Sequence, residues 1–177
     1  EHGFCVLFLA HMYGMSPRAD IRDKLKRSVT LLVQAQNLEG GWRYQPQPVD
    51  AALSVTVTIL QALRSARSVG VAVPADTIER ATKYVRQCGE HYGFTYQMDK
   101  VYGHNDLRTT YPLTAAGIVS LNSAGVYDSP EIRSGLNYLR NEYDQLKWGR
   151  YHFFYGHYYA CQAMYIAGGR FWADYYE

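Results

Sequence analysis

Side chains able to do chemistry gather in three places along the chain. In Val49-Asp50-Ala51-Ala52-Leu53-Ser54, a single carboxylate precedes a long apolar run. An Asp in that position suits the N-cap of a helix, where its oxygens accept from free backbone N–H groups. The second place is His104-Asn105-Asp106 with Arg108, just ahead of the apolar run 112–124. A His–Asp pair beside an Arg can move protons or hold an anion, and Asn and Asp are also ordinary turn formers. The third is the most aromatic segment, in which His152 and His157 stand among Tyr151, Phe153, Phe154, Tyr155, Tyr158 and Tyr159. Aromatic faces attract cations and hold apolar ligands, and at helical spacing they also pack as core.

Helices must position all three. Residues 3–14 are apolar on nearly every side, which predicts an inner helix buried among others. Gly14 ends it, and Ser16-Pro17 reads as an N-cap with Pro at the first helical position. Residues 18–36 then spread Ile21, Leu25, Val29, Leu32 and Val33 at helical spacing among charges, an outer helix with one wet face. The alternation recurs. Inner helices are expected at about 4–13, 51–69, 112–124 and 155–167. Outer ones open at Pro17, at Pro74 with Asp76, and at Ser129-Pro130-Glu131. Gly70, Gly125 and the pair Gly168-Gly169 read as stops. The expectation is an all-α chain of about seven helices, four inner and three outer, with no sheet.

Composition sets outer bounds. The 177 residues are 47% hydrophobic and 19% charged, enough to bury a core within a single domain over 1–177. A formal charge of +2 and the lack of any Lys/Arg tract give no reason to expect nucleic acid. No run of 18 apolar residues is present, so no membrane-spanning segment is expected, and the compartment stays unassigned. Cys5, Cys88 and Cys161 form neither a CxxC pair nor a disulfide framework. Tyrosine is over-used, 17 residues, and suits helix seams and wet cavities alike.

The stretch 27–42, RSVTLLVQAQNLEGGW, supplies an apolar pair at Leu31 and Leu32, then Gln36, Gly40 and Trp42. Gln36 is expected to hydrogen-bond freed groups at the helix end, and Trp42 to fold back over it. Weaker copies follow at 80–94 and 134–149, ending in Gly93-Phe94 and Trp148-Gly149. Leu32, Val85 and Leu139 lie 53 and 54 residues apart, and Pro17, Pro74 and Pro130 lie 57 and 56 apart. A fixed period of this size marks a repeat of two helices per unit.

These residues resemble the QW motif of the squalene cyclase and protein prenyltransferase superfamily. The resemblance implies an α/α toroid, here a partial barrel of antiparallel inner and outer helices, from a longer protein. Open repeat edges would then be covered by the remaining part of the parent chain or by a second copy. The resemblance places a cavity at the N-terminal ends of the inner helices and makes Asp50 the catalytic candidate. Bacterial triterpene cyclases carry D-x-D-D-T there, and Asp50 matches the first acid while Ala52 stands where the proton donor belongs. Protein prenyltransferases carry V-D-x-C, and Val49-Asp50 match while Ala52 replaces the thiolate. His157 is displaced from the histidine that would complete a zinc site, so neither metal nor other cofactor is expected. Cys88-Gly89-Glu90-His91 is similar to the C-G-E-Q thioester of complement-type toroids, with His91 in place of the required glutamine.

The expected function is an isoprenoid-binding or other apolar-ligand-binding toroid domain without a complete catalytic motif. Tyr111, Thr114, His157, Tyr158 and Tyr159, with His104, Asp106 and Arg108 at the rim, are its expected pocket. If the chain is an enzyme, the resemblance implies an isoprenoid cyclase or prenyl transferase. The alternatives are a protein-interaction repeat module and a carbohydrate-active toroid built on Asp50, Arg108, Tyr151 and His152.

Overall fold

A computed structural model describes residues 1–89, 92–98, 109–146 and 152–177. The described residues are all helical: eight α-helices, one 3₁₀ turn and no strand. They are α1 (His2–Met15), α2 (Ala19–Gln34), α3 (Leu53–Ser68), α4 (Ala75–Gln87), α5 (Tyr111–Ser123), α6 (Pro130–Asn141), α7 (Phe153–Ala167) and α8 (Gly169–Tyr176). The 3₁₀ turn is Tyr143–Leu146. None of the described helices is long and apolar enough to cross a membrane. The chain divides into two compact units, Glu1–Val85 and Arg86–Glu177.

In the first unit the two apolar helices run side by side. A Cβ added to Gly3 would meet Thr58 and Ile59, and one added to Gly14 would meet Val69. Equal steps along both helices mean that α1 and α3 are parallel and in register. Glycines on the contact face let the backbones approach closely. The connecting helix α2 is amphipathic and turns Leu25, Val29 and Leu32 inward. α3 buries Leu53, Val57, Leu60 and Leu63 completely.

In the second unit α5 packs on both α6 and α7. Every residue of α5 from Tyr111 to Leu121 is buried. Gly156, near the start of α7, lies against Pro112 at the start of α5, and Gly135 of α6 lies against Ile118 and Thr114. Ser129 caps α6 as its sequence suggests, its hydroxyl accepting from the Ile132 N–H at 3.3 Å with Pro130 at the first helical position.

Several expectations need correction. An eighth helix follows the Gly168-Gly169 stop. Gly168 does end α7, at φ +64, but α8 begins at once and packs back through aromatic edges, with Trp172 against Tyr165 at 5.4 Å. Ser16 closes α1 instead of opening α2, whose N-cap is Arg18 paired with Asp20. The apolar helices α1 and α7 are not buried all round. Each buries one face and turns another to solvent, leaving Phe8 61% and Phe154 75% exposed.

Candidate functional site

The stretch 27–42 builds a closed hydrogen-bonded knot at the end of α2. The Trp42 indole N–H donates to the Leu32 carbonyl at 2.7 Å, satisfying a terminal helix acceptor while the ring is 2% exposed. Gln47 closes the same end, its backbone N–H donating to the Ala35 carbonyl at 3.1 Å and its side chain to the Gln34 carbonyl at 3.2 Å. Gln36 does not bond its own helix. Its amide donates to the Gly40 carbonyl at 2.8 Å and, 41 residues on, to the Thr77 carbonyl at 3.0 Å. Its oxygen accepts from Arg80, whose guanidinium also donates to the Asn37 carbonyl at 3.2 Å. Gly40 sits at φ +94 with the Arg80 backbone where a Cβ would be, so only glycine fits.

The loop then fastens to the following apolar helix. The Trp42 N–H donates to the Thr56 hydroxyl at 3.0 Å, and a Cβ on Gly41 would collide with Ala51 and Thr56. The second unit repeats this clasp. The Phe94 N–H donates to the Thr114 hydroxyl at 3.0 Å, and a Cβ on Gly93 would collide with Thr109 and Thr114. Gly-aromatic followed by a helix-borne Thr is therefore one structural device used twice. The third copy, at Trp148-Gly149, lies outside the described residues. Sequence reasoning missed Thr56 and Asn37; the recurrence of Thr56 at Thr114, 58 residues on, was the available signal.

Asp50 does not cap α3. The N-cap is Ala52, with no side-chain bond, and the Ala52 N–H donates instead to the Trp42 carbonyl at 2.9 Å. Asp50 lies two residues earlier and pairs with Arg43, both about a third exposed at 28% and 31%. The clasp takes up the Ala52 N–H, and Asp50 lies beside the Arg43 guanidinium. Ala52 itself is fully buried.

Beside this pair a cleft of about 550 Å³ opens at the N-terminal ends of α1 and α3. Its apolar wall is Phe4, Leu31, Leu32, Trp42, Val55 and Ile59. Arg43, Tyr44 and Gln45 give it a polar side. The volume is within the range of small-ligand pockets, and Glu1, His2, Ser54 and Thr58 also line the cleft, so apolar and polar groups share its wall. Among the described residues, none of those expected to line a pocket lines this one.

Those residues take other roles. Thr114 is fully buried and holds the Phe94 amide. Tyr159 is fully buried, ringed by Tyr155 and Tyr158 at 4.9 Å each, while Tyr158 is exposed. Tyr111 is fully buried, and its hydroxyl has no hydrogen-bond partner among the described residues. Burial, reinforced by the Tyr175 and Tyr143 phenols, pushes its pKa well above the ordinary range. His157 ties three elements together. Its Nε2 lies 3.3 Å from the Leu146 carbonyl, which only accepts, so Nε2 carries the proton and Nδ1 accepts from the Tyr175 hydroxyl at 2.8 Å. His152 is exposed at the start of α7, in the left-handed region. His104, Asp106 and Arg108, and with them Tyr151, Glu90 and His91, lie outside the described residues. Among the described residues no group of three His, Cys, Asp or Glu gathers to hold a metal.

No known family, curated protein or solved structure matches the chain.

Proposed function

We propose that this chain is a helical-repeat domain that binds an extended apolar molecule, of isoprenoid type, in the cleft between the starts of α1 and α3. The observation that carries the reading is the lining: six apolar residues border one opening, with Arg43, Tyr44 and Gln45 to one side. Such a wall gives affinity through buried area, at about 25 cal/mol per Å², and the polar side fixes which end of the ligand enters. The resemblance of 27–42 to the QW motif supports the isoprenoid class. The chemistry favours binding without turnover. Protonating an alkene needs a carboxylic acid held in a dry site; Ala52 has none to offer, and Asp50 is neutralised by Arg43 at the surface.

The test is a titration with a fluorescent farnesyl analogue, competed by unlabelled farnesol and by farnesyl diphosphate. Saturable binding is expected, weakened at least about tenfold by Val55→Asp or by Leu31→Asp, each of which puts a charge on the wall without emptying the core. Absence of binding, or affinity unchanged in both variants, overturns the proposal. Mass spectrometry of the same mixtures is expected to show no cyclised product.

A further inference from the structure

The polar side of the cleft holds a cation that already has an anion. Among the described residues that line it, Arg43 is the one Lys or Arg. Its guanidinium pairs with the carboxylate of Asp50, which is not itself a lining residue. The starts of α1 and α3 both border the cleft, and a helix start attracts negative charge. Each already has an acid of the chain near it: Glu1 is the N-cap of α1, and Asp50 lies two residues before the N-cap of α3. Apart from His2, the other polar residues along the wall are Tyr44, Gln45, Ser54 and Thr58, which carry hydroxyl or amide groups and no charge.

We infer that the cleft selects an isoprenoid whose polar end is an uncharged alcohol over one that ends in a diphosphate, and that Asp50 sets this choice through its hold on Arg43. The inference rests on the cleft being the ligand site. A diphosphate binds through charge-assisted hydrogen bonds, and Arg43 is the residue in the lining best suited to give them. Brought to that guanidinium, the diphosphate meets the Asp50 carboxylate already on it. Either two like charges share the cation or Asp50 has to leave it. A site discriminates in this way by setting a like charge where the competitor's charge must go. An alcohol asks for less. Its hydroxyl both donates and accepts, and amide and hydroxyl side chains such as Gln45 and Ser54 can meet it with the ion pair intact. Without the acid the preference reverses, because Arg43 then stands at the opening unopposed by Asp50.

Competition against the fluorescent farnesyl analogue tests this, read as the ratio of the farnesol and farnesyl diphosphate affinities in one preparation. In the native chain farnesol is expected to compete at least about tenfold more strongly. Asp50→Asn and Asp50→Ala are each expected to shift the ratio at least about tenfold toward the diphosphate. Adding Arg43→Gln to Asp50→Asn should abolish the shift. Inorganic pyrophosphate should displace the analogue from the Asp50 variants at lower concentration than from the native chain. Circular dichroism checks that every variant folds. An analogue that does not bind at all overturns the reading of the cleft and this inference with it. An analogue that binds but is displaced equally well by alcohol and diphosphate in the native chain overturns this inference alone. So does a ratio that neither Asp50 variant moves, or a shift that persists without Arg43.

Discussion

The indole N–H of Trp42 donates to the carbonyl of Leu32, ten residues earlier and 2.7 Å away, so the residue that ends the loop also closes the helix before it. Trp42→Phe keeps most of the packed ring and removes the donor. The buried carbonyl then lacks a partner, at a cost of about 1–3 kcal/mol. Thermal denaturation should show the loss, and an unchanged midpoint would count against the capping role.

Gly40 and Gly70 offer a controlled pair. Both are left-handed, at φ +94 and +83, but only Gly40 has a neighbour, the Arg80 backbone, where a side chain would begin. Gly70→Ala should cost the conformational strain alone, about 1–2 kcal/mol. Gly40→Ala should cost distinctly more, read as a larger drop in the urea midpoint.

The two clasps should respond alike. Thr56→Val and Thr114→Val are similar in shape and remove the hydroxyl that accepts from Trp42 or Phe94. Each should destabilise by about 1–3 kcal/mol. Hydrogen exchange should quicken at the amide of Trp42 in the first variant and of Phe94 in the second. Protection that persists at either amide would show that the hydroxyl is dispensable there.

Alkaline pH should unfold the chain through its buried phenols. Burial pushes Tyr175 up to about 12 from an ordinary 10.0, and raises Tyr111 and Tyr155 further. A phenol that holds its proton more tightly when folded favours the folded state until the unfolded chain starts to ionise. Stability is therefore complete below pH 10 and falls as the pH climbs toward 12. Tyr111→Phe removes a buried hydroxyl that has no partner among the described residues, so it should leave the melting temperature at pH 7 unchanged or raised and soften the alkaline loss. A lower melting temperature at pH 7 would show that Tyr111 does hold a partner.

Much of the helical layout was legible because it is local. The expected spans 51–69, 112–124 and 155–167 fall within two residues of α3, α5 and α7 at each end, since glycine stops and apolar runs act within a turn. α8 was missed because the two glycines read as a terminus. Phe171, Trp172 and Tyr175, at helical spacing, carried the contrary signal. The site was far less legible. Gln36 was expected to serve its own helix and instead spans 41 residues to Thr77, a partner that no local pattern names. Asp50 looked like a cap because local preference favours it there, but Arg43 competes for the same carboxylate from across the loop. The cleft draws on α1, α2, α3 and the loop between the last two, so its wall exists only once these pack.

Each clasp joins an aromatic residue to a threonine only 14 or 20 residues further on. Short separations close quickly, because little chain entropy is lost in bringing the ends together. During synthesis the first clasp can therefore form as soon as α3 has left the ribosome, and the knot around Gln36 can close once α4 follows, before α5 has been made. Order of assembly is thus written along the chain, and a repeat gained or lost in evolution carries its own fastening with it.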